Sequence, residues 1–178
     1  MKRAHFSVFV ASAATLIVFL PTVAPAQQAM PAKEAADITR GRYVVQISGC
    51  NDCHTPGFSQ ASGKVDEKLW LTGDALGWRG PWGTTYAANV RSYVQTLSEE
   101  AWIKRWRGVE ARPPMPWTSM RAMSDDDLRA VYRYAKHLGP AGSASPAYVP
   151  PDHQPKTPVV QFPSPPPAPQ PKAAAPHP

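Results

Sequence analysis

Both cysteines of this 178-residue chain lie in one pentapeptide, Cys50-Asn51-Asp52-Cys53-His54. Whatever the chain folds into must bring two thiols and an imidazole, about one helical turn apart, against a common partner. A catalytic dithiol wants the pair at a helix start inside a βαβ pattern, but the residues before Cys50 read as helix. A structural zinc site needs four ligands, usually from two such pairs. The other histidines, His5, His137, His153 and His177, are poorly placed to complete one. A covalently attached haem needs the pattern as it stands. Each thiol adds across one vinyl group of the porphyrin, and two intervening residues let the sulfurs reach neighbouring pyrrole edges. His54 then projects towards the iron as proximal ligand. The pentapeptide therefore points to one covalently bound haem c on Cys50 and Cys53.

An electron-carrying iron requires a second axial ligand, and methionine opposite histidine raises its potential. Beyond the first 26 residues the candidates are Met30, Met115, Met120 and Met123. Met30 precedes the motif, and Met120 and Met123 flank the start of the last helix, where Met123 can staple onto Leu128. Met115 lies in ARPPMPW (111–117), where proline on both sides fixes the chain without a backbone ladder. That suits holding one soft sulfur at a set distance, so Met115 is the expected distal ligand.

The two ends of the chain read differently from its middle. Lys2 and Arg3 precede a 15-residue apolar run, 6–20, that closes at Pro21 and is followed by Ala24-Pro25-Ala26. This predicts a secretory signal over 1–26, cut after Ala26, and a periplasmic location. The run is shorter than the roughly 20 residues a bilayer core requires, so membrane attachment would need a retained signal. Residues 27–36 read as a flexible leader. From 141 to 178, 13 of 38 residues are proline, which predicts a disordered or polyproline tail. The remaining 37–140 is one domain. The formal charge is +6, and +4 without Lys2 and Arg3. No basic stripe with interleaved aromatics is present, so nucleic acid is not indicated, while a modest positive field would steer an acidic protein partner.

Three helices can be read in the domain. The first spans 37–49, with Val44, Val45 and Ile47 towards one face and Gly41 inside it, where another backbone must come close. The second begins at the N-cap Ser98, carries Glu99 and Glu100 in its first turn, presents Trp102, Ile103 and Trp106, and ends at Gly108. The third begins at Ser124, carries Asp125, Asp126 and Asp127, and shows Leu128, Val131, Tyr132, Ala135 and Leu138 at helical spacing. Residues 55–94 have no clear period. Three helices enclose a thin core for this length, which a group other than protein would fill.

The segments GRYVVQISGCNDCHTPG, GPWGTTYAANV, a helix ending WRG, PPMPW and SDDDLRAVYRYAKHL occur in the order of a class I cytochrome c domain. Over 37–138 the chain resembles the cytochrome c subunits that accept electrons from periplasmic alcohol, aldehyde and sugar-acid dehydrogenases. The resemblance implies an all-α fold, three to four helices wrapped round one haem, with the first and last helices crossing at Gly41 against Leu128 or Tyr132. It implies covalent attachment at Cys50 and Cys53, with His54 and Met115 as axial ligands. Asn89 aligns with an asparagine of an N-I-T stretch, from which Val90-Arg91 departs. Trp82 and Tyr86 either line the pocket, reach a propionate or simply pack. Many relatives carry three such domains, and this chain has one C-x-x-C-H.

The leading expectation is a periplasmic single-haem electron carrier with no substrate turnover of its own, free or as a dehydrogenase subunit. It would pass electrons between redox proteins such as a dehydrogenase and a terminal oxidase or other acceptor. Arg79, Arg91, Lys104, Arg105, Arg107 and Arg112 are candidates for its docking surface. The alternative is a haem protein with an open sixth site, acting as a gas sensor or enzyme.

Overall fold

The computed structural model describes residues 30–163, so the expected signal over 1–26 lies outside the described residues. Helix α1 (Ala32–Ile47) starts five residues earlier than its apolar pattern suggests, because Ala32, Lys33, Glu34, Ala35 and Ala36 are strong helix formers. Residues 32–36 of the expected leader are therefore helical. The buried face of α1 is Gly41, Val44 and Val45. Ile47 is 62% exposed, since it lies about 120° round the helix from Gly41.

Helix α2 (Cys50–His54) is the motif itself. After a 3-10 turn at Glu67–Leu69, strands β1 (Gly77–Gly80) and β2 (Gly83–Tyr86) form a hairpin in the stretch without period. Helices α3 (Val90–Gln95), α4 (Glu99–Gly108), α5 (Trp117–Ala122) and α6 (Asp125–His137) follow. The two N-caps expected from sequence are formed: Ser98 accepts from the Ala101 N–H and Ser124 from the Asp127 N–H. The fold is mainly helical and compatible with a small all-α cytochrome c fold, and its strands are minor.

The core is the crossing of α1 and α6 with α4 laid against α6. Leu128, Val131, Tyr132, Tyr134 and Ala135 of α6 are buried with Val44 and Val45 of α1 and Trp102 and Trp106 of α4. Gly41 does sit at the crossing, but it faces Ala130 and Tyr134, not Leu128 or Tyr132. A Cβ at Gly41 would overlap the Ala130 carbonyl and the Tyr134 Cβ. Around this contact Arg40 pairs with Asp127 at 2.8 Å, Arg133 with Asp37, and the Tyr134 hydroxyl donates to Glu67 at 2.7 Å.

Composition predicts disorder from 141 onwards, yet residues 141–163 fold back along the hairpin. Strand β3 (Val159–Gln161) pairs in parallel with β1, giving the order β2-β1-β3. Proline lacks a donor but keeps its carbonyl, and the body supplies the donors. Gly77 N–H reaches Pro158, the Arg79 guanidinium reaches Pro151 and His153, and Tyr86 bonds Thr157. The rest of the expected tail, 164–178, lies outside the described residues.

Candidate functional site

The crossing of α1 and α6 fixes where α1 ends, and that end delivers the motif. Ser48 caps α1, Gly49 takes a left-handed conformation at φ 65°, and the chain turns directly into Cys50. Two buried polar residues hold the turn from inside. The Thr55 hydroxyl donates to the Asn51 side-chain carbonyl oxygen at 2.8 Å and accepts from the Leu71 N–H at 2.9 Å. The His54 carbonyl accepts from Gly73 N–H at 2.8 Å. The pentapeptide is thus braced against the following loop, with its three reactive side chains turned the other way.

Those side chains face a cavity of about 710 Å³, inside the roughly 300–1,000 Å³ range of cofactor and small-molecule sites. Cys50, Cys53 and His54 line it from the motif, and Trp78, Thr85, Tyr86, Ala87 and Ala88 line it from the hairpin and its exit. Trp102, Arg105 and Trp106 come from α4, and Arg112, Pro114 and Met115 from the following loop. Met120 and Met123 also reach it, so the cavity gathers three of the four candidate sulfurs. Met120 is a helical core residue, 5% exposed, and Met123 packs partly buried against the same core. Met115 precedes α5 on the 109–116 loop, whose Arg112 carbonyl accepts from Met115 N–H.

The electrostatics of the motif separate the candidate chemistries. Burial pushes the Cys50 thiol up to about 11, with Asp52 and Cys53 adding to the shift, and burial likewise raises Cys53. A reactive dithiol requires the opposite, a lowered pKa near positive charge. Among the described residues no three of His, Cys, Asp and Glu come together to hold a metal ion, as a zinc cage would require. For His54, burial lowers the pKa below its ordinary value, partly opposed by the Ala88 carbonyl. That carbonyl lies 2.7 Å from Nδ1. Nδ1 donating there leaves the lone pair on Nε2, the arrangement of a neutral metal-binding imidazole.

A haem fits this cavity on two further grounds. Its walls are largely apolar and aromatic, and three buried donors on them, Trp78 Nε1, Thr85 Oγ1 and Trp106 Nε1, have no partner within the protein. Buried donors demand partners. Trp78 and Thr85 are directly opposed across the hairpin, so two of the three converge on one patch that suits an acceptor such as a carboxylate.

Several expected residues fall elsewhere. Tyr86 lines the cavity, but its hydroxyl bonds Thr157. Trp82 does not line it; its ring packs on Phe162 and its Nε1 donates to the Trp78 carbonyl. Asn89 caps α3 and donates to the Ala141 and Ser143 carbonyls. Arg91 is 5% exposed and is not a surface residue. Its guanidinium donates to the carbonyls of Gly139, Leu138 and Lys68, neutralising the C-terminal end of α6. Sequence reasoning missed this because an arginine next to polar loop residues looks solvated; the departure from N-I-T at 90–91 was the one local signal.

No family model and no solved structure matches the chain. The chain is 32% identical over 123 residues to the cytochrome c subunit of a quinone alcohol dehydrogenase from Gluconobacter oxydans, a match that covers 63% of this chain and 23% of that protein. The corresponding subunit from Gluconacetobacter polyoxogenes is 29% identical over 119 residues, covering 60% and 23%. One of the subunits of nicotinate dehydrogenase from Pseudomonas putida is 29% identical over 128 residues, covering 64% of this chain and 10% of that protein. The chain thus spans about a quarter or less of the length of the curated relatives it matches. These similarities support a cytochrome c-like relationship.

Proposed function

We propose that the chain is a periplasmic single-haem cytochrome of class I type that carries single electrons between redox proteins and turns over no substrate of its own. The observation that carries this reading is the cavity of about 710 Å³, onto which Cys50, Cys53, His54 and Met115 all open. Cys50 and Cys53 would hold the haem covalently, and His54 Nε2 and the Met115 sulfur would be the ligands to its iron. When bound, the haem supplies a one-electron ferric–ferrous couple. The protein's part is to orient His54 through Ala88, to present a sulfur from the 109–116 loop, and to keep water out with tryptophan and methionine side chains. A low-dielectric pocket and a methionine ligand would both favour the reduced form of that couple.

Its partners follow from the relatives. Cytochrome c subunits of quinone alcohol dehydrogenases are among them, and we propose a dehydrogenase as donor and another redox protein as acceptor. Export through residues 1–26 belongs to the same proposal, because haem attachment of this kind takes place outside the cytoplasm. The test is the mass of the exported protein after denaturation. The proposal expects the increment of one haem and its loss when Cys50 and Cys53 are both replaced by serine. A mass equal to the bare polypeptide, from cells that mature cytochromes c, would refute it.

A further inference from the structure

Residues 141–163 belong to the fold but take no part in the electron-transfer reading. Their backbone is anchored along the hairpin side of the cavity. Val149 and Thr84 exchange both backbone hydrogen bonds, at 2.7 and 3.0 Å. Ser145 donates to the Ala87 carbonyl at 2.7 Å, and Asn89 holds Ala141 and Ser143. Gly83, at φ 96°, permits the approach, since a Cβ there would run into the Val149 carbonyl and the Tyr148 ring. Tyr148 is pinned twice: its neighbour Val149 is paired with β2, and its hydroxyl donates to the Trp82 carbonyl at 2.7 Å.

The other wall of the cavity is the 109–116 loop. Its hydrogen bonds run to its own side: Val109 N–H to Arg105, Met115 N–H to Arg112, and Arg121 to the Val109 carbonyl. Pro113, Pro114 and Pro116 have no N–H to offer. Among the described residues, the loop's polar link to the hairpin side is the Arg112 guanidinium over the Tyr148 ring, 4.0 Å from its centroid. It is the shortest cation–ring distance among the described residues. Arg112, Pro114 and Met115 all line the cavity, and the prolines make 112–116 a stiff unit. Moving Arg112 outward carries Met115 with it.

We propose that Tyr148 is a positioning residue for the distal ligand: its ring latches Arg112 and so holds the Met115 loop closed over the cavity. The inference rests on the reading of Met115 as distal ligand. Release of the latch raises the fraction of open loop and admits external ligands to the sixth position. A ring–cation contact at a partly exposed site shifts such an equilibrium on the order of fivefold.

The test is the rate at which imidazole binds the ferric, haem-loaded, full-length protein, followed by stopped-flow absorbance. Tyr148→Leu and Arg112→Gln should each accelerate binding about fivefold, and the double variant no further, because both remove one contact. Tyr148→Phe keeps the ring and the Val149 pairing but loses the bond to Trp82, and should fall between the wild type and Tyr148→Leu. Arg112 is exposed, so its variant folds even if Tyr148→Leu does not. Urea unfolding of each variant separates the latch from general stability: Arg112→Gln should speed binding without lowering the midpoint. Wild-type rates in Arg112→Gln, or additive effects in the double variant, would overturn the latch. Met115→Ala tests the underlying reading separately. An unchanged ferric spectrum there would remove the ligand and, with it, the role assigned to Tyr148.

Discussion

Gly41→Ala should destabilise the protein, although in an isolated helix the same exchange stabilises by about 1 kcal/mol. The reason is local to the crossing. An added methyl would overlap the carbonyl carbon and oxygen of Ala130 and the Cβ of Tyr134. None of these is the movable end of a flexible side chain, so relief requires α1 and α6 to separate. Overpacking of this kind costs about 1–3 kcal/mol, and here separation also loosens the core shared by Val44, Val45, Leu128 and Val131. An overlap with backbone this deep lies at the upper end of that range, so against a propensity gain of about 1 kcal/mol the net loss is about 2 kcal/mol. For a domain of this size that lowers the melting temperature on the order of 5–10 °C. Urea unfolding followed by far-ultraviolet circular dichroism measures it, with an unchanged m-value showing that the unfolding reaction is the same. Gly108→Ala is the control, because nothing lies within 4 Å of a Cβ there; it should be neutral or stabilising by up to about 1 kcal/mol. Equal or higher stability of Gly41→Ala would refute the close approach of the two helices.

Arg91→Met should cost on the order of 3 kcal/mol, since it leaves the carbonyls of Gly139, Leu138 and Lys68 without their charged donor; an unfolding midpoint equal to wild type would contradict it. Stability should also fall in acid. The hydrogen bond from Arg40 holds Asp127 below its ordinary value, and for Glu67 burial works upward but bonds from Tyr134 and Arg42 outweigh it. With folded pKa values depressed, the stabilisation is complete only above about pH 5 and is lost as pH falls through the folded values; melting temperatures flat from pH 5 to pH 2 would count against these pairs. Electron transfer to an acidic partner protein should slow as ionic strength rises, through Lys104, Arg105, Arg107 and Arg112 but not the buried Arg91, nor Arg79, whose guanidinium is held by Thr84, Pro151 and His153; rates independent of salt would remove the docking surface.

The helices that carry the core were legible because their signals are local. Ser98 and Ser124 are N-caps followed by acidic first turns, and the α6 stripe repeats at helical spacing. That Cys50, Cys53 and His54 share one cavity was legible for a different reason: they are adjacent in sequence, so no folding knowledge was required to assemble them. Met115 lies some sixty residues away, and proline on both sides was its local mark. The structure brings it to the same cavity together with Met120 and Met123, so the choice of Met115 among the three still rests on its proline-flanked position. What escaped was built from long-range pairing. The hairpin 77–86 shows little alternation because glycine and tryptophan dominate it, and β3 exists only by adding to β1. Proline content argued for a tail, yet carbonyls and side chains of 141–163 meet donors that no sequence window contains. Arg91 escaped on the same ground, its three acceptors lying 23 to 48 residues away.

The most direct test of the haem reading is the visible spectrum of the exported, full-length protein, taken oxidised, then dithionite-reduced, then under carbon monoxide. Sharp low-spin haem c bands that carbon monoxide leaves in place are the result the proposal predicts, since it assigns both iron ligands, to His54 and Met115. A carbon monoxide shift would contradict the Met115 assignment and support an open sixth site. Absence of haem bands, from cells that mature cytochromes c, would contradict the electron-carrier reading as a whole.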